Sequence, residues 1–255
     1  MMSHGTELSR YDDTPCDIVR MRAGASHVLA VEQCTSTMDL AHELAADGAS
    51  HGTVVVADEQ GSGRGRTGKS WVSGRGAGVW ASVVLRQRGD APAGVLSLRV
   101  GLQLAQALDA RVATTVQLKW PNDLFLDGRK LGGVLTEARW RGDLLEWIVV
   151  GVGVNVRDAG VAPPVAALGE AVRRADVLVD VIHAILTAAE SSGELSANEL
   201  MQFAQRDLAR GRTVTAPLEG TVLGITPRGG VQIRTHAGDA VAMAGSLVFR
   251  TSHRD

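Results

Sequence analysis

The segment best equipped for chemistry is Gly63-Arg64-Gly65-Arg66-Thr67-Gly68-Lys69-Ser70, a glycine loop carrying two arginines and preceded by Gln60. Its spacing satisfies G-x-x-x-x-G-K-[ST], the pattern with which a P-loop cradles phosphate. It also reads as a basic loop whose arginine forks would grip a phosphate or a carboxylate. Either way the implied ligand is an anion.

The flanking elements decide between the two. A P-loop must open a helix so that its backbone N–H groups converge on the phosphates. Here Gly74, Gly76 and Gly78 follow within a few residues, and each costs a helix about 1 kcal/mol relative to alanine. The apolar, β-branched runs Thr53–Ala57 and Val79–Leu85 predict a strand on either side of the loop. A nucleotide switch built on a P-loop is therefore the minor alternative. Gly151 and Gly153 resemble a dinucleotide fingerprint, but the third glycine is missing and no helix follows. An RNA-binding reading of the loop fails for want of an aromatic-rich sheet or a basic surface.

The remaining elements follow from periodicity. Residues 1–23 carry little pattern and are expected to be a loose N-terminal arm. A strand near His27–Glu32 leads into Ser36-Thr37, where either residue can cap a helix with apolar positions Leu40, Ala41, Leu44 and Ala45, ended by Gly48. A second helix is expected over Gly94–Ala110. Asp127-Gly128 is a type I′ turn signal joining Leu124-Phe125-Leu126 to Arg129-Lys130-Leu131. In that register Lys130 lies beside Phe125, opposite the face of Leu124, Leu126 and Leu131. Arg141-Gly142-Asp143 makes the next turn, ahead of the run Leu144–Val156.

Two helices follow a loop at Pro163-Pro164, the second opened by a capping box of Ser196 and Glu199. From Arg212 the pattern becomes short β segments with glycine turns. The expected organisation is an α+β unit over 24–210, a mixed sheet with packed helices, and a small all-β unit over 211–255.

Composition bounds the class. Hydrophobic residues at 45% and charged residues at 21% describe an ordinary globular chain. A net charge of −2 argues against a nucleic-acid or anionic-membrane partner. Cys16 and Cys34 form no C-x-x-C, and the seven histidines show no ligand spacing. The first twenty residues lack an apolar signal core, and the longest apolar run, Trp147–Val156, is too short to span a bilayer. A cytoplasmic location is expected.

Five landmarks in order resemble the bacterial biotin protein ligases. Gln60-Gly61-Ser62-Gly63-Arg64-Gly65-Arg66 matches the family's Q-x-x-G-R-G-R, with Trp71 as the aromatic that follows. Lys119 to Asp123 is an intact K-W-P-N-D, and Lys130-Leu131-Gly132-Gly133-Val134-Leu135 matches K-L-x-G-[IV]-L. Gly151-Val152-Gly153-Val154-Asn155 matches G-x-G-x-N, and Ser36-Thr37 matches an S-T pair. The likeness runs from about Val28 to Phe249 and implies a terminal SH3-like barrel. It departs at Met38, where the family usually has Asn, and at Gly132, usually Ala. The stretch ahead of Val28 is too short for the helix-turn-helix of repressor members, so a monofunctional ligase is expected.

The resemblance implies ATP-dependent activation of biotin to biotinyl-5′-AMP, then transfer to a lysine of a biotin carboxyl carrier domain. Bringing a carboxylate against a polyanion costs about 4 kcal/mol at contact and an effective dielectric near 20, so cations are needed. It implies Lys130 and Arg66 as catalytic. Biotin would meet Ser36, Thr37, Gln60, Gly63, Arg64, Gly65, Gly132 and Gly133 besides those two. The nucleotide would meet Trp71, Lys119, Asn122 and Asn155 as well as Arg66, with Asp123 helping to hold Mg²⁺. Trp120 and Pro121 read as architectural. Lipoate ligation is the nearest alternative, and a protein that makes the adenylate without transferring it is another. The assembly is expected to be a monomer or a homodimer.

Overall fold

The computed structural model describes residues 5–86, 93–158, 160 and 164–250. Pro163 of the expected loop, the first four residues of the expected arm and the last five of the β unit lie outside them. From the N-terminus come β1 (Glu7–Leu8), β2 (Arg10–Tyr11), β3 (Thr14–Pro15), α1 (Cys16–Ala23), β4 (His27–Cys34) and α2 (Thr37–Ala46). Next are β5 (Thr53–Arg64), β6 (Ser70–Ser73), β7 (Gly78–Leu85), α3 (Ala93–Leu108), β8 (Gln117–Lys119), β9 (Asp123–Leu126), β10 (Arg129–Arg141) and β11 (Leu144–Asn155). The chain continues through α4 (Arg174–Glu190), α5 (Ala197–Arg206), β12 (Thr213–Ala216), β13 (Gly220–Ile225), β14 (Val231–Thr235), β15 (Gly238–Ala242) and β16 (Val248–Phe249).

Among the described residues a mixed sheet runs in the order β1-β4-β5-β7-β11-β10-β9-β8, with β6 paired to the far part of β5. β4 and β5 are parallel, joined through α2 as a parallel pair requires, whereas β5–β7, β7–β11 and β10–β11 are antiparallel. Both faces of the sheet are covered. Val31, Val55, Val84 and Val149 pack under α2 with Met38, Ala41 and Ala45. Val54, Val56, Val83 and Val150 face the other way, into the core shared with α1, α3 and α4. Double coverage explains why Thr53–Ala57 and Val79–Leu85 read as unbroken apolar runs instead of alternating ones.

The second sheet, in the order β15-β14-β13-β12-β16, begins at Thr213. Its Val214, Val222, Val231 and Ile233 join the same core, and Trp120 Nε1 donates to Gly229 O at 2.8 Å. Trp120 is 2% exposed, so the second residue of the Lys119–Asp123 motif acts as a rivet between the two sheets.

The expected loose arm needs correction over residues 7–23. Three two-residue strands and α1 dock there, burying Tyr11, Val19 and Ala23. The docking rests on tertiary contacts that no short-range pattern announces. Arg174 bonds Asp12 and Asp58 and stacks over the Tyr11 ring at 4.8 Å, and Tyr11 Oη donates to Gly78 O at 3.2 Å. Burial pushes the Tyr11 phenol well above its ordinary pKa. Other elements follow expectation closely. The turn at Asp127-Gly128 has both residues at positive φ, and the capping box of Ser196 with Glu199 is complete.

Candidate active site

The glycine-arginine loop is a β-hairpin tip. β5 continues to Arg64, a single 3-10 turn covers Arg66–Gly68, and the chain returns as β6 with Ser70 opposite Arg64 and Trp71 opposite Gly63. Lys69 and Ser70 therefore enter a strand where a P-loop would open a helix. The P-loop alternative fails on this geometry.

Beneath the hairpin lies a cavity of about 160 Å³. Its wall at the α2 end is a polar lattice. Thr37 donates through both its N–H and Oγ1 to Gln60 Oε1, at 2.8 and 3.1 Å, and Gln60 Nε2 donates to Ser73 Oγ at 2.7 Å. Thr37 Oγ1 and Ser82 Oγ share a further bond of 2.8 Å. Ser36 takes the N-cap backbone conformation, but its side chain makes no capping bond. Its Oγ is buried against the cavity without a partner among the described residues. A buried hydroxyl left unpaired is costly, and a ligand polar group arriving there would satisfy it.

The other end is cationic. Lys130 sits on β10 opposite Phe125, just before a bulge in the β9–β10 ladder. Its Nζ meets Asp123 Oδ1 at 2.6 Å and lies 5.0 Å over the Trp71 ring. Arg66 reaches the same cavity and has no ion-pair partner in contact among the described residues; burial lowers its pKa, opposed by Asp123. Lys119 stands just behind, between the rings of Phe125 and Phe249, at 5.8 and 5.1 Å. Burial lowers its pKa first, Asp123 opposes, and Lys130, Lys69 and Arg212 push it down further. One carboxylate serves this crowd of cations, which is the electrostatic setting of an anion site.

Of the residues expected in the site, the cavity brings together Ser36, Thr37, Gln60, Arg64, Gly65 and Arg66. It also gathers Trp71, Asn122, Asp123, Lys130 and Gly133. Gly63, Lys119, Gly132 and Asn155 do not line it. Gly63 is needed for the hairpin, since a Cβ there would meet Trp71 O at 2.5 Å. Gly132 likewise admits Gly153 O at 2.6 Å. Asn155 Nδ2 donates to Ala166 O at 3.1 Å, and Asn122 Nδ2 donates to Val134 O at 2.8 Å, so both amides brace backbone.

Sequence reasoning missed the cavity floor. A Cβ on Gly151 would meet Met38 Sδ at 2.5 Å, and one on Gly153 would meet the Trp71 indole at 2.7 Å. The two glycines of G-x-G-x-N thus make room for two cavity side chains. Trp71 Nε1 is itself buried and has no hydrogen-bond partner among the described residues.

Fold and cavity together define an α+β protein with a cation-lined site suited to an anion. Residues 30–155 match the biotin/lipoate A/B protein ligase family. A biotin–[acetyl-CoA-carboxylase] ligase of Paracoccus denitrificans is 32% identical, over 80% of this chain and 93% of that protein. The bifunctional ligase/repressor BirA of Bacillus spizizenii is 38% identical over 51% of this chain, a stretch that spans 40% of that protein. A solved structure of Aquifex aeolicus biotin protein ligase in complex with biotin and ATP aligns with a TM-score of 0.75 at 26% identity. That alignment covers 89% of this chain and all of the other. The chain belongs to the biotin/lipoate A/B protein ligase family.

Proposed function

We propose that this chain activates biotin with ATP and transfers the biotinyl group to a lysine of a carboxylase's carrier domain. The observation that carries the reading is one cavity with a neutral polar lattice at one end and, at the other, cations that outnumber the lining carboxylate Asp123. A ureido ring suits the lattice, where Ser36 Oγ lacks a partner among the described residues. A carboxylate meeting an α-phosphate suits Lys130 and Arg66.

In the first step a carboxylate oxygen attacks the α-phosphorus, the bond to the β-phosphate's bridging oxygen breaks, and pyrophosphate leaves. Lys130 and Arg66 offset the negative charge gathered there. In the second step a lysine amine attacks the acyl carbon, an amide forms with loss of a proton, and AMP departs. Trp71 would stack on the adenine, but its ring currently lies across Gly153 and under Lys130, so nucleotide entry must move one of them.

Magnesium was expected at Asp123. Asp123 lines the cavity and would help to hold an ion carried on the ATP phosphates, in competition with Lys130 at 2.6 Å. Among the described residues no group of three His, Cys, Asp or Glu side chains is placed to hold a metal. Two free cysteines support a reducing, cytoplasmic setting. Among the described residues no helix is long and apolar enough to cross a membrane.

Biotin-dependent ATP–pyrophosphate exchange on purified protein, followed by addition of a carrier domain, tests the reading. Exchange that requires biotin, with labelling of the carrier, is the expected result. Exchange with lipoate alone would keep the chemistry and overturn the substrate. Adenylate formation without labelling would leave a protein that makes the adenylate and does not transfer it.

A further inference from the structure

The two arginines of the loop have different surroundings. Arg66 makes no ion pair among the described residues and faces the cavity, whereas Arg64 bridges two carboxylates from two other elements. Its Nη1 meets Asp39 Oδ1 of α2 at 2.6 Å, and its Nη2 donates to Glu137 Oε2 of β10 at 3.2 Å. Glu137 is held in turn, because His42 Nε2 lies 3.1 Å from the same oxygen and Trp147 Nε1 donates to His42 Nδ1 at 2.9 Å.

That chain sets the protonation pattern. An indole nitrogen can only donate, so His42 Nδ1 must accept and Nε2 must carry the proton given to Glu137. Arg64 Nη2 donates to the same Glu137 oxygen that His42 Nε2 meets. The bond from His42 and the charge of Arg64 hold the Glu137 carboxyl below its ordinary range.

We propose that Asp39 and Glu137 are positioning residues that act through Arg64, latching the 60–73 hairpin over the cavity while Arg66 is left to meet substrate. The latch stands on these contacts; its effect on turnover rests on the ligase reading above. Charge-assisted bonds are about twice as strong as neutral ones, and they add at the tip to the bonds of Gln60 with Thr37 and of Ser62 N with Thr35 O, which tie the base of the hairpin. Gly65, Thr67, Gly68 and Lys69 contribute no ion pair among the described residues, and Thr67 and Gly68 are at positive φ. Opening would lower apparent affinity by the fraction of protein still closed. It would also admit water to a reactive mixed anhydride.

The test uses full-length protein with Asp39→Asn, Glu137→Gln and the double variant. Both replacements are isosteric, and a glutamine Oε1 still accepts from His42, so the network behind the latch stays whole. Trypsin reports the hairpin directly, since Arg64, Arg66 and Lys69 all lie within it. The expected result is cleavage at these bonds accelerated roughly ten- to hundredfold in the double variant, with cleavage elsewhere unchanged. KM for biotin should rise about tenfold while exchange at saturation stays within about threefold, and enzyme-bound adenylate should hydrolyse faster. Arg64→Lys, which can reach one carboxylate at a time, should fall between wild type and the double variant. Wild-type cleavage and KM in the double variant would overturn the latch. Faster hairpin cleavage in a protein that shows no exchange with biotin would keep the latch and sink the ligase reading.

Discussion

Lys130 and Asp123 are the pair on which the chemistry turns. At 2.6 Å the carboxylate neutralises the ammonium, and an arriving anion must compete for it. Lys130→Ala is expected to slow biotinyl-adenylate formation about 10²- to 10³-fold, the loss typical when one charge-stabilising donor is removed. Because the Lys130 side chain is 37% exposed, thermal unfolding should barely change; pyrophosphate exchange and a melting curve on the same sample check both halves. The floor offers a second test. Gly151→Ala places a methyl group against Met38 Sδ and should drive that side chain into the cavity, weakening acid binding by about 1–3 kcal/mol. Adding Met38→Ala should restore most of it, as titration calorimetry would show. Lys130 was legible in the chain because Asp127-Gly128 sets the hairpin register around it. Ser36 was half legible. Its cap-forming type marked the helix start, but its hydroxyl bonds none of the first-turn N–H groups and is buried against the cavity. Only long-range packing decides where that hydroxyl turns.

Arg99 shows how one element disciplines its neighbours. It is 3% exposed in the middle of α3, and its Nε lies 2.6 Å from Glu199 Oε1, the same glutamate that completes the capping box of α5. Its Nη atoms donate to the carbonyls of Ser191, Ser192, Gly193 and Glu194, which follow the end of α4. One guanidinium therefore fixes where α4 stops, how the loop turns and how α5 begins. Arg99→Met should cost about 3–5 kcal/mol, because it strands a half-buried carboxylate and four carbonyls at once. A fall in Tm of roughly ten degrees is expected, and a drop within about two degrees would show that water replaces the guanidinium cheaply. The capping box was visible as Ser196 and Glu199, yet its buried partner was not, since an arginine in an apolar helix stripe reads locally as a surface residue. The docked segment 7–23 escaped for a related reason. Its two-residue strands carry no period, and α1 has eight residues of which two are buried, so Arg174 and the core supply the order that local propensity lacks.

The nine-stranded and five-stranded sheets meet through the segment that follows α5. Asp207 bridges to Leu118 of β8, Leu208 N donates to Leu118 O at 2.8 Å, and six residues later the chain enters β12. Asp207 Oδ1 accepts from Ala209 N at 2.9 Å, and burial pushes its carboxyl up to about 6 despite that bond and the pull of Arg210. The sign follows from linkage. A carboxyl with a raised folded pKa binds its proton more tightly in the native state, so its contribution to stability is fully present below the ordinary value of 3.8. That contribution is lost as pH rises through about 6, where a buried charge must form at the joint between the sheets. Asp207→Asn keeps an acceptor for Ala209 N and removes the charge. Its melting temperature relative to wild type should therefore climb as pH rises from about 4 to 7 and level off beyond. Parallel melting curves at half-unit intervals would read the difference, and a flat difference across that window would show that Asp207 titrates as an exposed carboxyl and leaves the joint insensitive to pH. Because β12 carries the Val214 contact that ties the second sheet into the common core, loss of that joint should also loosen the sheet behind Lys119 and Phe249. Hydrogen exchange at β12 and β13 should then quicken from pH 5 to pH 7, beyond the chemical pH effect, in wild type but not in the asparagine variant.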